Sequence, residues 1–233
     1  MANVTSGSYV FDKNLSIDEI IEDAYERIGM QGVSGYQLKT AKRSLNILFS
    51  EWGNRGVHLW KVQLQTQALT AGTITYTVPG AASDVLEAFI STSSGTTSST
   101  NDISLTKIDR SAYAALPNKG STGQPSQYFV DRQTTPIISL YVAPDASTYT
   151  HLKYYTINRI EDAGAYTNQA DIVFRFIPCM VSGLAYYLSF LANPGSTQSL
   201  RLVYEDELQR ALTEDGQRAS VYISPQTFYG DGV

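Results

Sequence analysis

Cysteine is almost missing from this chain of 233 residues: Cys179 stands alone. An intrachain disulfide is therefore impossible, which suits a reducing compartment. Histidine is nearly as scarce. His58 and His151 are the only two, and neither has a Cys, His or acidic partner at metal-ligand spacing, so no metal is expected. No apolar run approaches the ~18 residues that a bilayer-crossing helix needs, so no membrane is expected as a partner. Met1 to Phe11 lack a basic start and an apolar h-region, so no secretory signal is expected. Asn3-Val4-Thr5 and Asn14-Leu15-Ser16 fit the glycosylation pattern but carry no meaning without such a signal. Positive charge is in deficit, with 17 Lys and Arg against 22 Asp and Glu and a net charge of −5. Tight nucleic-acid binding is driven by counterion release to a basic face. The acidic balance argues against that and leaves room for a surface that DNA slides past.

Catalytic signatures are also wanting. There is no G-x-S-x-G elbow and no P-loop. Gly29, Gly32 and Gly35 are spaced by threes, but no strand precedes them, so they do not read as a phosphate loop. Cys179 falls in an apolar helix beside Pro178 and reads as core. Catalytic residues and cofactors are therefore both expected to be none. Acidic residues are numerous enough that a carboxylate pair for glycoside hydrolysis is not excluded.

Hydrophobic residues supply 42% of the chain, enough for one good core or one core plus a satellite. Tyrosine is abundant, at 16 residues. Tyr is favoured both in strands and at the centres of protein interfaces.

Ser16 and Glu19 have capping-box spacing at the start of a helix. Ile17, Ile20, Ile21, Ala24, Tyr25 and Ile28 form its apolar face, and Gly29 stops it. Ser34 and Gln37 open a second helix the same way, with Leu38, Ala41, Leu45, Leu48, Phe49 and Trp52 on one face and Gly53 at the end. The short Met30–Val33 link implies an antiparallel helical hairpin.

From Trp60 the period changes to two. Trp60, Val62, Leu64 and Thr66 alternate with Leu59, Lys61, Gln63 and Gln65. Further strands are expected at 73–78, 85–90, 128–132, 137–142 and 149–157, with a short helix at 109–116. The run 92–101 has no apolar residue and reads as a hairpin tip with nothing to hold it. Lys119 to Gln127 is a second soft segment.

After Asn168 a helical pattern returns, with Phe174, Ile177, Val181, Leu184, Ala185, Leu188 and Leu191 on one face. Pro178 either opens this helix or kinks it. Asn193-Pro194-Gly195 turns the chain into a last helix, about 196–219. There Leu200, Tyr204, Leu208 and Ala211 face inward, and Glu205, Glu207, Arg210, Glu214 and Arg218 face water. Pro225 forbids the helix from continuing, and residues 221–233 form an extended arm. The arm either folds back or adds to a neighbour as a strand or clamp.

The expected fold class is α+β. A four-helix bundle is built from N-terminal (1–56) and C-terminal (169–220) helix pairs, interrupted by a β-rich, sandwich- or barrel-like insert (57–168) and trailed by the arm (221–233). Ile20, Leu45, Leu184 and Leu208 should share one core.

This organisation resembles the head-to-tail adaptors of short-tailed bacteriophages, the tail tubular protein A-like connectors. The likeness rests on Ser16-Ile17-Asp18-Glu19-Ile20-Ile21-Glu22-Asp23-Ala24 leading to Gly29. It continues in Leu45-Asn46-Ile47-Leu48-Phe49-Ser50-Glu51-Trp52, followed by Gly53-Asn54-Arg55-Gly56 and a strand at Leu59-Trp60. Its third part is Pro178-Cys179-Met180-Val181-Ser182-Gly183-Leu184-Ala185-Tyr186-Tyr187-Leu188 and the acidic helix after it.

The resemblance implies a structural virion protein of the phage neck, assembled in the host cytoplasm. It implies a dodecameric homo-oligomer ring under the portal protein, joined to the tail nozzle protein, through which double-stranded DNA passes without sequence-specific binding. Tyr222, Ile223, Phe228 and Tyr229 would be the portal-contact anchors. Two other readings stay open: a virion-associated cell-wall glycosidase using an acidic pair, and a tail-associated β-domain binding module.

Overall fold

Local capping chemistry opens the fold. The computed structural model describes residues 15–30, 34–57, 59–95 and 101–215. Helix α1 (Ile17–Arg27) begins where Glu19 Oε2 accepts hydrogen bonds from the Ser16 amide and hydroxyl, both at 2.8 Å. Helix α2 (Gly35–Asn54) begins where Gln37 Oε1 accepts from the Ser34 amide at 2.7 Å and Ser34 Oγ accepts from the Gln37 amide at 3.4 Å. These bonds satisfy amides that the first helical turn leaves open.

The two helices also end alike. The Met30 amide reaches the Tyr25 carbonyl at 3.0 Å and the Gly29 amide reaches Glu26 at 2.9 Å; the Val57 amide reaches Trp52 at 3.0 Å and the Gly56 amide reaches Gly53 at 3.3 Å. Gly29 and Gly56 both adopt φ of +80°, the left-handed closure that glycine takes without cost. The expected second stop was Gly53. That residue lies inside the last turn, and the helix continues until buried Val57 can fold back over Trp52.

Among the described residues, ten strands and one short helix follow before the next long helix. They are β1 (Val62–Ala68), β2 (Thr75–Thr77), β3 (Ala82–Ser91), β4 (Asp102–Ser104), β5 (Thr106–Ile108), α3 (Arg110–Ala115), β6 (Thr122–Gly123), β7 (Gln127–Asp131), β8 (Ile137–Tyr141), β9 (Ala143–Pro144) and β10 (His151–Asn158). One sheet has the order β1-β10-β3-β4, a second β2-β8-β7-β5, and β6 pairs with β9. Pairing is antiparallel except for β5 with β7 and β6 with β9. Tyr76, Val85 and Ile90 pack with Tyr128, Ile138, Leu140, Leu152 and Tyr154 in a single cluster that both larger sheets line.

Two sequence expectations change here. Trp60 does not open a strand: Leu59–Lys61 is a 3-10 turn, and Trp60 packs on Phe176 with ring centroids 5.0 Å apart. In β1 it is Gln65 and Gln67 that are half-buried, while Leu64 and Thr66 are exposed. Gln67 is useful inside because its Oε1 takes the Tyr154 hydroxyl at 3.4 Å. The described ends of the loop after β3 are tethered, contrary to expectation. Buried Lys153 donates to the Gly95 carbonyl at 2.5 Å and to Asp102 at 3.2 Å.

Helix α4 (Ile177–Ala192) carries Pro178 in its first turn, where no amide is needed. Helix α5 (Thr197–Asp215) follows a 3-10 turn at Pro194–Ser196. Phe174–Ala192 is long and apolar enough to match a membrane span, at a mean hydropathy of 1.3, contrary to the expectation that no run would be; in this fold it is a core segment, buried on most sides of α4. Phe174 and Leu191, expected inward, are 68% and 80% exposed. Phe174 precedes the helix, in the 3-10 turn Phe174–Phe176, whose tighter winding takes it off the helical face. Leu191 sits at the far end of a 3.5-residue spacing, which drifts about 20° per heptad from a true helical repeat.

Ile20, Leu45, Leu184 and Leu208 do share one core, together with Trp52, Phe176 and Tyr204. Residues of α1, α2, α4 and α5 thus meet in one apolar cluster, separate from the cluster of the β insert.

Candidate functional site

The residues with the most chemistry lie where α2, α4 and α5 meet. Trp52 Nε1 donates to the Tyr204 hydroxyl at 3.0 Å, and Tyr204 donates to Glu51 Oε2 at 3.3 Å. Tyr187 donates to the same carboxylate oxygen at 2.9 Å. Arg55 pairs with Glu51 at 2.5 Å and grips Glu205 with two bonds of 2.7 and 2.8 Å. Its guanidinium also lies 5.7 Å from the centre of the Tyr204 ring.

Electrostatics follow from this arrangement. Burial, and then the hydrogen bond to Glu51, push the Tyr187 hydroxyl up to about 12. Burial raises Tyr204 further, with the Glu51 charge adding to it. Arg55 holds the Glu205 carboxyl below its ordinary value. Both hydroxyls therefore stay protonated and serve as donors to a carboxylate. The network fixes α5, which leads to the C-terminal arm, against α2.

A second junction ties the helical body to the β insert. Lys61, 8% exposed, forms a close ion pair with Asp171, and Glu161 lies 3.9 Å from its ammonium. The Asn46 side chain accepts from the Ala163 amide at 2.7 Å. Between α2 and the insert runs a cleft of about 420 Å³ lined by Phe49, Asn54, Asn158, Arg159 and Asp162 among others. Exposed apolar side chains mark the outside of the helical body: Tyr36, Phe190, Leu191 and Leu202 are each more than half exposed. Such residues on a rigid scaffold are contact candidates for partner chains.

His151 and Cys179, neither of which the sequence put forward for chemistry, make local contacts. His151 Nδ1 lies 2.8 Å from the hydroxyl of its neighbour Thr150, and His58 lies outside the described residues. Cys179 Sγ donates to the Phe176 carbonyl at 3.1 Å, and burial pushes its thiol up to about 12. Among the described residues no group of three or more His, Cys, Asp or Glu could hold a metal ion. Glu205 and Glu207, expected to face water, are half-buried; Glu207 takes a short hydrogen bond from Ser182. Arg218 and the four arm anchors, Tyr222, Ile223, Phe228 and Tyr229, lie outside the described residues.

Sequence reasoning missed Arg55, Lys61 and Glu205 as a set. Only the Glu51–Arg55 spacing of one helical turn was readable; the partners from beyond residue 160 were not. The family model described as SU10 adaptor protein matches residues 15–227. No curated protein matches the chain.

Proposed function

The chain belongs to the SU10 adaptor protein family, a phage head-to-tail adaptor family, and we propose that it builds a dodecameric ring between the portal and the tail nozzle. It is a structural component of the virion neck. In this reading α1, α2, α4 and α5 act as a four-helix bundle, a stiff strut formed by the pairs within 1–56 and 169–220. The insert, 57–168, faces outward or toward the tail. The arm, 221–233, reaches the portal with Tyr222, Ile223, Phe228 and Tyr229 as anchors, since buried aromatics dominate such contacts.

One observation supports the mechanical part. Segments from opposite ends of the chain close on a single core through Ile20, Leu45, Leu184 and Leu208, and the Arg55–Glu205 pair locks the last helix in place. A strut of this kind transmits force between partners without chemistry of its own. Cyclic symmetry then turns modest pairwise contacts into a closed ring. Each copy carries a net charge of −5, so a ring of many copies is acidic and holds passing DNA weakly, letting the genome slide.

The arm is the testable element. Deleting residues 221–233 should leave a folded chain that no longer binds its portal in a sedimentation or particle-imaging assay. A truncated chain that docks like the full one removes the arm from the mechanism.

A further inference from the structure

Helices α1 and α2 each bury one face in the shared core, and their opposite faces differ in charge. On α1 the core takes Ile17, Ile20, Ile21 and Ala24. The far side carries Glu19, Glu22, Asp23 and Glu26, all exposed. Glu19 is held by the Ser16 cap at 2.8 Å, and Asp23 lies 3.6 Å from Arg27. Glu22 and Glu26 stand one helical turn apart on this side.

Helix α2 is the counterpart. From Gly35 to Ser50 it has Lys39, Lys42 and Arg43 and no carboxylate. Ala41, Leu45, Leu48 and Phe49 enter the core. Tyr36, Lys39, Arg43 and Ile47 follow one another at spacings of three or four residues and so share the outer face. Tyr36 is 79% exposed and Ile47 51%, and Lys39 and Arg43 are exposed between them. Lys42 lies off this face, with its ammonium 5.5 Å from the centre of the Tyr166 ring.

These two faces complement each other. Lys39 and Arg43 are four residues apart, as are Glu22 and Glu26, a rise of about 6 Å on each helix. Two ion pairs can therefore form together, whether the packed helices run parallel or antiparallel. Tyr36 and Ile47 flank the cations, and aromatic and arginine side chains are favoured in protein interfaces. A nucleic acid fits the same face less well. Its phosphates would take up the two cations and leave Ile47 in water.

We infer that the Tyr36–Ile47 face of α2 docks on the Glu22–Glu26 face of α1 in a second copy of this chain, which rests on the chain forming a ring. The contact joins two different patches. Each copy offers α1 to one neighbour and α2 to the other, so the arrangement runs head to tail. Opposite charges at this contact fix its register, and like charges placed there oppose docking.

Charge reversal on the full chain tests this. Glu22→Lys with Glu26→Lys makes both faces basic, and Lys39→Glu with Arg43→Glu makes both acidic. Each double variant alone should form at least ~10-fold fewer rings on the portal than the wild-type chain, counted by particle imaging. An equimolar mixture of the two should recover rings, because each basic face then meets an acidic face on the other variant. Variants that each assemble like the wild type, or a mixture that recovers nothing, overturn the interface and leave the ring standing. An α2 variant that loses only DNA binding, with rings unchanged, also overturns it and gives the face to nucleic acid. A wild-type chain that forms no ring on the portal overturns the ring and the interface with it. A second measurement needs no variant. Carbodiimide coupling of wild-type rings, assembled from light and heavy-isotope chains, should join Lys39 to Glu22 or Glu26 between chains. A bond found only within chains, or none, overturns the interface.

Discussion

Gly183 shows how one residue sets the spacing of the helical core. A Cβ at this position would meet Tyr204 Cε2 at 2.8 Å and Leu48 Cδ1 at 3.0 Å. Both neighbours are fully buried, and the Tyr204 ring is held by Trp52, Glu51 and the stacked Tyr186 ring 6.1 Å away. Overpacking at so confined a point costs about 1–3 kcal/mol. Gly183→Ala should therefore lower the stability measured by urea unfolding by that amount without changing the slope. An unchanged midpoint would mean that Tyr204 moves freely. Nothing in the sequence marked Gly183, because its neighbours come from α2 and α5. The Arg55–Glu205 pair makes a second residue-scale case, with a definite sign. Arg55 lowers the Glu205 pKa below its ordinary value of 4.5. The pair's contribution is therefore full above that value and is lost as pH falls through the folded one. The stability gap between the wild-type chain and Glu205→Gln should be open at neutral pH and close in acid. A gap independent of pH would show that the carboxylate charge plays no part. The Glu205 side chain is 41% exposed, so solvent screening keeps this gap small.

At the scale of elements, caps were the most legible feature. Ser16 with Glu19, and Ser34 with Gln37, announce helix starts because a cap is a contact over three residues, wholly contained in the local sequence. Two glycines at ends of those helices, Gly29 and Gly35, behave oppositely. Gly29 has a φ of +80°, so Gly29→Ala forces a left-handed alanine and should cost about 1–2 kcal/mol. Gly35 lies in the first turn of α2 with nothing within 4 Å of an added Cβ. Gly35→Ala should stabilise by about 0.4–1 kcal/mol by restricting the unfolded chain. Thermal unfolding of the two variants, shifted in opposite directions, checks both. Strands were less legible. β7 and β8 fall within one or two residues of their expected bounds, whereas β4, β5, β6 and β9 span only two or three residues each. So short a stretch has no period to read, and it exists as a strand only because a partner offers hydrogen bonds.

The described residues form two cores tied by a junction. The links at 59–61 and 158–171 are drawn together by Lys61, held between Asp171 and Glu161, and by the packing of Trp60 on Phe176. A structural adaptor needs this tie, because an insert swinging freely would transmit neither position nor force. Membership of the adaptor family and the single helical core agree on a mechanical part. Beside this core Glu51 and Glu205 are engaged by Arg55, Glu51 also by tyrosine hydroxyls, and Glu207 by Ser182.

What the sequence determined by itself was periodicity and its punctuation: two helices with capping boxes, a switch to strands near residue 60, an apolar helix with a proline in its pattern and an acidic amphipathic one. These depend on residues within a few positions of one another. Tertiary structure decided the partners. Trp52 finds Tyr204 across 152 positions and Arg55 finds Glu205 across 150, and β1 turns glutamine inward because Tyr154 waits there. An apolar stripe specifies that it must be covered, but many stripes in the chain can do the covering equally well by composition. Only the fit of volumes and the pairing of buried polar groups selects among them, and both are properties of the assembled fold.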